Sequence, residues 1–255
     1  MKIAVCVKHA VDEAELKVDQ SGSPVLAGSA SKVSTFDKNA VEEALKLKSS
    51  QGGEVVVFTV GPADARKSMK EALAMGADRG VLVVAEATIS DTLHTASLLA
   101  GALSKAGPFD AIFCSEGSSD TYSGQVPPML AELMALPYAG YVRKLVVSQG
   151  KAVAERSLEE SVEAVEMPVP FIASVVSEIN EPRYPTLIQI MQASKKPVEE
   201  LPAALLPQAQ RASSTAVVSM VAHVSNRKKL MIGGTPEDAA AKLLEALDKE
   251  GVLPR

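Results

Sequence analysis

Phe113-Cys-Ser-Glu-Gly-Ser-Ser-Asp-Thr-Tyr-Ser-Gly-Gln-Val-Pro-Pro-Met-Leu-Ala-Glu-Leu-Met-Ala-Leu-Pro137 changes character twice. It opens as the end of an apolar strand, passes through a loop of small polar residues and ends in an apolar, helix-forming segment. Ser115, Gly117, Ser118, Ser119, Ser123 and Gly124 crowd the loop. Small residues let a ligand approach the backbone, and the helix that follows would turn N–H groups and a partial positive charge toward an anion. A serine-rich loop is also what an ordinary polar turn looks like. The residues on either side decide.

Toward the N-terminus, four short apolar runs alternate with helix-period segments. The runs are Ile3–Val7, Glu54–Val60, Gly80–Val84 and Asp110–Cys114. Asp37 opens the first helix, whose stripe of Ala40, Val41, Ala44, Leu45 and Leu47 repeats at spacings near three and four; Gly52-Gly53 ends it. Pro62 stands in the first turn of a second helix reaching Met75, and Ser90 is the expected N-cap of a third reaching Lys105. Continuous apolar strands alternating with amphipathic helices predict an open, mainly parallel sheet covered on both faces. Ligands in such a sheet sit beyond the carboxyl ends of the strands, where the strand order reverses. The loop from Ser115 onward lies there. Cys6 and Cys114 become neighbours if the reversal falls between their strands.

Beyond Pro137 the pattern changes. Tyr141–Val147, Lys151–Glu155 and Ser161–Ala164 read as antiparallel strands, with a tight turn at Ser148-Gln149-Gly150, and Val169–Val176 as a further strand; together they extend the sheet at its edge. From Asn180 the chain is Pro-spaced. Residues 197–234 have no sustained period and predict either disorder or an arm laid on another protein. Thr235, Pro236, Glu237 and Asp238 cap a final helix that suits a docking element. The expected division is an α/β nucleotide-binding domain over 1–190 and a C-terminal arm over 191–255.

Composition narrows the function. Basic and acidic residues number 26 and 31, with no basic block, which excludes a nucleic-acid partner. No apolar run reaches membrane-span length, and the N-terminus reads as a strand rather than a signal peptide. The two cysteines sit in apolar runs, as reduced thiols in a cytoplasmic or comparable reducing compartment would. His9, His94 and His223 lack metal-ligand spacing. No GxSxG elbow, CxxC pair or phosphate-binding Walker loop occurs. With no activated nucleophile in view, the chain reads as a binding or carrier protein. Asp120 has two roles open to it, ligand contact or turn cap. Gln125 either faces a phosphate with Ser123 or faces solvent. Phe36 suits a hydrophobic staple at the start of its helix.

Six segments, taken in order, resemble the beta subunit of electron-transfer flavoprotein. They are Val5-Cys-Val-Lys8; Phe36-Asp37 with Ala40-Val-Glu-Glu-Ala44; Ala72-Leu-Ala-Met-Gly-Ala-Asp-Arg79; Asp120 with Gln125-Val126, Pro128, Ala131-Glu-Leu133 and Leu136-Pro137; Arg156-Ser-Leu-Glu-Glu-Ser-Val-Glu163 with Pro170; and Asn180-Glu-Pro-Arg-Tyr-Pro-Thr-Leu187 with Ile190-Met191. The resemblance covers nearly the whole chain. It implies an adenine-nucleotide-hydrolase-like fold and a heterodimer with an alpha subunit that carries most of the FAD site. It further implies one structural AMP held by Cys6, Ser34, Phe36, Val60, Ser115 and Asp120 to Val126, including Ser123, Gly124 and Gln125. Phe36 would also approach the flavin edge. Leu187, with Tyr184, Ile188 and Met191, would dock on an acyl-CoA dehydrogenase or similar flavoenzyme, unless Leu187 packs on its own subunit. The family often has Asn at Ser34, an acidic residue at Tyr122 and at Ser157, and Gly at Ser161. Some relatives hold a second FAD in place of AMP, oxidise NADH and bifurcate electrons. The 180–187 segment resembles the non-bifurcating type, which implies an electron carrier and not an enzyme. A stand-alone, stress-type nucleotide-binding module is the reading from another class, and the 197–234 arm argues against it.

Overall fold

The computed structural model of the chain describes residues 1–26, 28–85, 91–210, 213, 215–222 and 228–253. The first half runs β1 (Lys2–Cys6), β2 (His9–Val11), β3 (Lys17–Val18), β4 (Pro24–Val25), β5 (Ser31–Val33), α1 (Thr35–Gln51), β6 (Glu54–Gly61), α2 (Arg66–Met75), β7 (Arg79–Val84), α3 (Thr92–Ala106), β8 (Ala111–Ser115) and α4 (Val126–Met134). The second half runs β9 (Tyr138–Ser148), β10 (Lys151–Ser157), β11 (Val162–Pro168), β12 (Phe171–Val175), α5 (Leu187–Ala193), β13 (Val198–Pro202) and α6 (Pro236–Lys249).

Nine of these strands form one sheet in the order β11-β10-β9-β12-β8-β1-β6-β7-β13. From β9 to β13 every neighbouring pair is parallel, while β9–β10 and β10–β11 are antiparallel. The mainly parallel sheet with antiparallel edge strands is the architecture that the alternating pattern predicts. Successive strand side chains point to opposite faces. Ile3, Val5, Val55 and Val57 therefore pack toward Val41, Leu45, Met69 and Leu73 of α1 and α2. Ala4, Cys6, Val56 and Phe58 pack toward Leu98, Leu99, Leu103 and Leu130 of α3 and α4. Both faces are covered, which is why the strands read as continuous apolar runs.

Among the details that differ from the sequence expectation, such as the start of α2 at Arg66 after a short 3-10 turn, three bear on the site and the chain's organisation. α1 begins at Thr35 with Ser34 at its N-cap, so Asp37 lies inside the first turn instead of opening the helix. α3 is capped by Asp91, whose carboxylate accepts from the N–H groups of Leu93 (2.8 Å) and His94 (3.0 Å); Ser90 lies outside the described residues, as does His223. The third concerns the segment read as an arm. Val198–Pro202 pairs in parallel with β7, from Val198↔Gly80 to Pro202↔Val84. An edge strand needs pairing on one side only, so Pro197 and Pro202 do not prevent it.

The compact unit accordingly extends from Met1 to Met220, past the expected boundary at 190. A second unit, Val221–Arg255, contains α6. Thr235 caps α6 by accepting from the Asp238 N–H at 3.2 Å, and the helix has no buried residue. Among the described residues no helix is long and apolar enough to cross a membrane, and no cluster of His, Cys, Asp or Glu has the makings of a metal site.

Candidate functional site

Strand order reverses at β1, which has β8 on one side and β6 on the other. The carboxyl ends of these three strands open into a cavity of about 410 Å³. Cys6, Cys114, Val60, Leu99 and Val126 give it apolar walls; Thr92, Thr95, Ser123, Gly124 and Gln125 add polar ones, and Val217 and Met220 complete it. Cys6 and Cys114 are both buried free thiols. Contact with Cys6 and burial push the Cys114 thiol well up, so it stays protonated.

The loop after β8 brings Ser123, Gly124 and Gln125 to the wall of this space. The N–H groups of Ser123, Gly124 and Gln125 have no hydrogen-bond partner among the described residues. Gly124 has φ +64°, and a Cβ there would meet the Glu116 carbonyl oxygen at 3.1 Å. α4 itself contributes less than an ordinary helix N-terminus. Pro127 and Pro128 occupy its first turn and carry no N–H, which leaves Val126 and the loop. The Gln125 side chain accepts from the Thr92 hydroxyl at 2.8 Å, tying the start of α4 to α3.

Lys8, just past β1, holds the same loop from the other side. Its ammonium donates to Asp120 at 2.7 Å, Thr121 at 3.2 Å and Ser118 at 3.3 Å. Burial pushes Asp120 up, but Lys8 and Ser118 outweigh it and hold the carboxyl below its usual range. Through Lys8, Asp120 ties the loop to the chain after β1, and it does not line the cavity. Ser34 is fully buried, and its hydroxyl accepts from the Ser119 N–H at 3.2 Å. The Phe36 ring lies 5.3 Å from that of Tyr122 at 59°. Tyr122 takes φ +46°, and burial with Glu116 beside it pushes its phenol up to about 12.

Of the sequence-predicted nucleotide residues, Cys6, Val60, Ser115, Ser123, Gly124, Gln125 and Val126 line the cavity, while Ser34, Phe36 and Asp120 do not. Lys8 and Asp37 also line it and escaped the sequence reading as site residues. Asp37 is buried. One carboxylate oxygen accepts from the Lys8 backbone N–H at 2.6 Å and the other touches the Ser115 hydroxyl. Burial pushes this carboxyl up to about 7 against the pull of Ser115 and Lys8. His9 is on the wall too, its Nδ1 2.7 Å from the Ser68 hydroxyl and its pKa lowered by burial.

A second feature lies apart from the cavity. Tyr184 is 95% exposed, and on α5 Leu187 is 73%, Ile188 66% and Met191 66% exposed. Leu187 therefore does not pack on its own unit. Thr186 and Gln189 close a reciprocal cap at the start of α5. The preceding chain is pinned to α1. Asn39 donates to the carbonyls of Ser177 (3.0 Å) and Asn180 (2.8 Å), and Arg183 makes a two-bond ion pair with Glu42 at 2.7 and 2.9 Å.

A family model described as electron transfer flavoprotein domain matches residues 25–206. A protein of Thermoanaerobacterium thermosaccharolyticum named electron transfer flavoprotein subunit beta is 33% identical over 261 residues, covering 99% of this chain and 100% of that protein. The like-named protein of Bacillus subtilis is 36% identical over 79% of each chain. The caffeyl-CoA reductase-Etf complex subunit CarD of Acetobacterium woodii is 33% identical over 78% of this chain and 77% of its own. The six ordered segments, the sheet and these matches agree, and the chain belongs to the beta-subunit family of the electron transfer flavoproteins.

Proposed function

We propose that the chain is one half of a heterodimeric electron carrier. An alpha subunit holds most of one FAD, and this chain buries one AMP in the cavity at the ends of β1, β6 and β8. FAD, when bound, supplies the redox chemistry of the dimer. This chain's part is to recognise, position and shield. Position and chemistry of the cavity carry the reading. It lies at the reversal of strand order, where open α/β sheets hold nucleotides. The apolar wall of Cys6, Val60, Cys114 and Leu99 suits a base, and the N–H groups of Ser123 to Gln125, without a partner among the described residues, suit a phosphate. The ammonium of Lys8 is committed to Asp120, so a phosphate is met by uncharged donors. At about 410 Å³ the cavity lies low in the usual ligand range of about 300–1,000 Å³. That favours a mononucleotide over a second FAD, which has more than twice its atoms.

The apolar side chains on α5 are the proposed docking knob for an acyl-CoA dehydrogenase or a similar flavoenzyme, from which electrons continue toward a quinone reductase. Exposed apolar groups on a capped, pinned helix fit a transient partner's pocket at low ordering cost. The second reading is a bifurcating subunit with a second FAD in the cavity and NADH as donor; the name of the Acetobacterium relative, which places that protein in a reductase complex, is the observation in its favour.

Released nucleotides decide between them. The chain is co-purified with its alpha subunit, denatured, and the nucleotides identified. One FAD and one AMP per dimer is the expected result. Two FAD would replace the AMP reading with the bifurcating one. A folded monomer releasing only AMP or ATP would overturn the carrier reading.

A further inference from the structure

The Ser115 hydroxyl has one proton and two oxygens within reach. The Gly117 carbonyl lies 2.8 Å away, and Asp37 Oδ1 is in close contact. A carbonyl only accepts, so Ser115 makes a full two-centre bond to both neighbours, rather than sharing one proton between them, only if it donates to Gly117 and receives from Asp37. An ionised carboxylate has nothing to donate. The other carboxyl oxygen of Asp37 already accepts from the Lys8 N–H at 2.6 Å, which puts the proton on Oδ1.

We infer that Asp37 is a positioning residue of the nucleotide site that acts as a neutral acid, donating to Ser115 so that Ser115 can donate to Gly117, and that ligand binding in the cavity retains this proton. The inference rests on the nucleotide reading of the cavity.

The surroundings favour the neutral form. Lys8, beyond β1, is the nearby cation among the described residues, and its ammonium is shared among Asp120, Ser118 and Thr121. Asp120 faces Asp37 from the loop as a negative charge, and Cys114 on β8 faces it as a protonated thiol. His9 takes its field from Asp64, Lys67 and Glu71 instead. Burial of Asp37 works in the same direction as Asp120. A phosphate placed in the cavity adds a further negative charge near a carboxyl that lines it.

Ionisation sends one proton to solvent and turns the Ser115 hydroxyl to the carboxylate. The Gly117 carbonyl then loses its donor at the root of the loop that presents Ser123 to Gln125. Gly117 packs against the Tyr122 ring, from which a Cβ would stand only 2.7 Å. Binding above neutral pH must therefore take up one proton at Asp37.

The test uses the heterodimer washed free of nucleotide. AMP is titrated by calorimetry from pH 6.5 to 8.5, in two buffers of different ionisation heat, on wild type, Asp37→Asn and Asp37→Ala. An asparagine amide donates to Ser115 and accepts from the Lys8 N–H, copying the neutral acid. Comparison with wild type cancels the titration of AMP's own phosphate. The expected result is that Asp37→Ala weakens AMP binding tenfold or more and Asp37→Asn restores it at pH 6.5. Between pH 7 and 8, Kd of wild type rises up to tenfold relative to Asp37→Asn, with proton uptake that Asp37→Asn lacks. Weaker binding by Asp37→Asn at every pH, or pH slopes equal to wild type, overturns the inference. If no form binds AMP, the nucleotide reading falls by itself. The proton is then read from the carboxyl carbon shift of Asp37 in labelled wild type, where a neutral acid at pH 6 supports its assignment and an ionised carboxylate overturns it.

Discussion

Asp37 stands third in the first turn of α1, where an acidic side chain ordinarily turns back toward its own helix end. Here it leaves the helix to join the chain after β1 to the loop after β8, and it does so buried. Its pH signature follows from linkage. The folded carboxyl titrates at about 7 against 3.8 for a free one, so the folded state holds a proton that the unfolded chain has released. Stability contributed at this site is therefore fully present below about pH 4. It falls as pH rises toward 7 and is flat above, with a limiting slope of about 1.4 kcal/mol per pH unit. Urea unfolding of the heterodimer from pH 5 to 8 should show Asp37→Asn gaining on wild type up to neutral pH and then running parallel. A difference that grows in the opposite direction would mean that the carboxylate is the native form. Gly124 makes a separate case at the same scale. At φ +64°, with the Glu116 carbonyl oxygen 3.1 Å from where a Cβ would go, Gly124→Ala should cost about 1 kcal/mol or more and lower the AMP retained on purification.

At the scale of elements, α5 and the chain before it divide labour. Leu187, Ile188 and Met191 contribute surface, while Glu42, Arg183, Asn39 and Asn180 contribute position. Burial pushes Glu42 up, yet the Arg183 bonds win and hold it below its usual range. Its side chain is 6% exposed, so losing Arg183 strands a buried charge. Arg183 itself is 43% exposed, and water shares the screening. Arg183→Leu should cost about 1–2 kcal/mol, less than a fully buried pair, and raise hydrogen exchange in 177–193 ahead of the sheet. Leu187→Ala should leave Tm and FAD content unchanged and slow reduction by the dehydrogenase; lost FAD would make Leu187 structural instead. What the sequence made legible was also unequal among elements. β1, β6, β7 and β8 announce themselves, because burial on both faces demands unbroken apolar runs. Val198–Pro202 does not, since Glu199 and Glu200 are exposed at the sheet's edge and only Leu201 is deeply buried. Lys8 and Asp37 were hidden for another reason. Each is ordinary in its local context, a lysine after a strand and an aspartate in a first turn. Their role arises only when β1 and β8 lie side by side, and strand order is not a local property.

For the whole molecule, the two units make different demands on a partner. Met1–Met220 has a complete sheet, cores on both faces and the cavity. Among its described residues, Val221–Arg255 has one helix, and no residue of that helix is buried. Leu243 and Leu244 of α6 stand exposed, on a helix whose cap, first-turn acids and final lysine are all well placed. Such helices owe most of their stability to packing an apolar face, because isolated ones near this length are marginal in water. A well-capped helix with an unburied apolar stripe is best accounted for by a surface supplied from another chain, and the alpha subunit is the proposed one. A chain ending at Met220 should then unfold at the Tm of the full chain and keep the cavity walls, Val217 and Met220 included. It should pair with the alpha subunit far more weakly, by tenfold or more in Kd, read by sedimentation of mixtures over a range of concentrations. Leu243→Asp with Leu244→Asp should reproduce that loss in the full-length chain without changing its Tm. Undiminished pairing in both would assign the alpha-subunit interface to Met1–Met220 and leave α6 without a docking role.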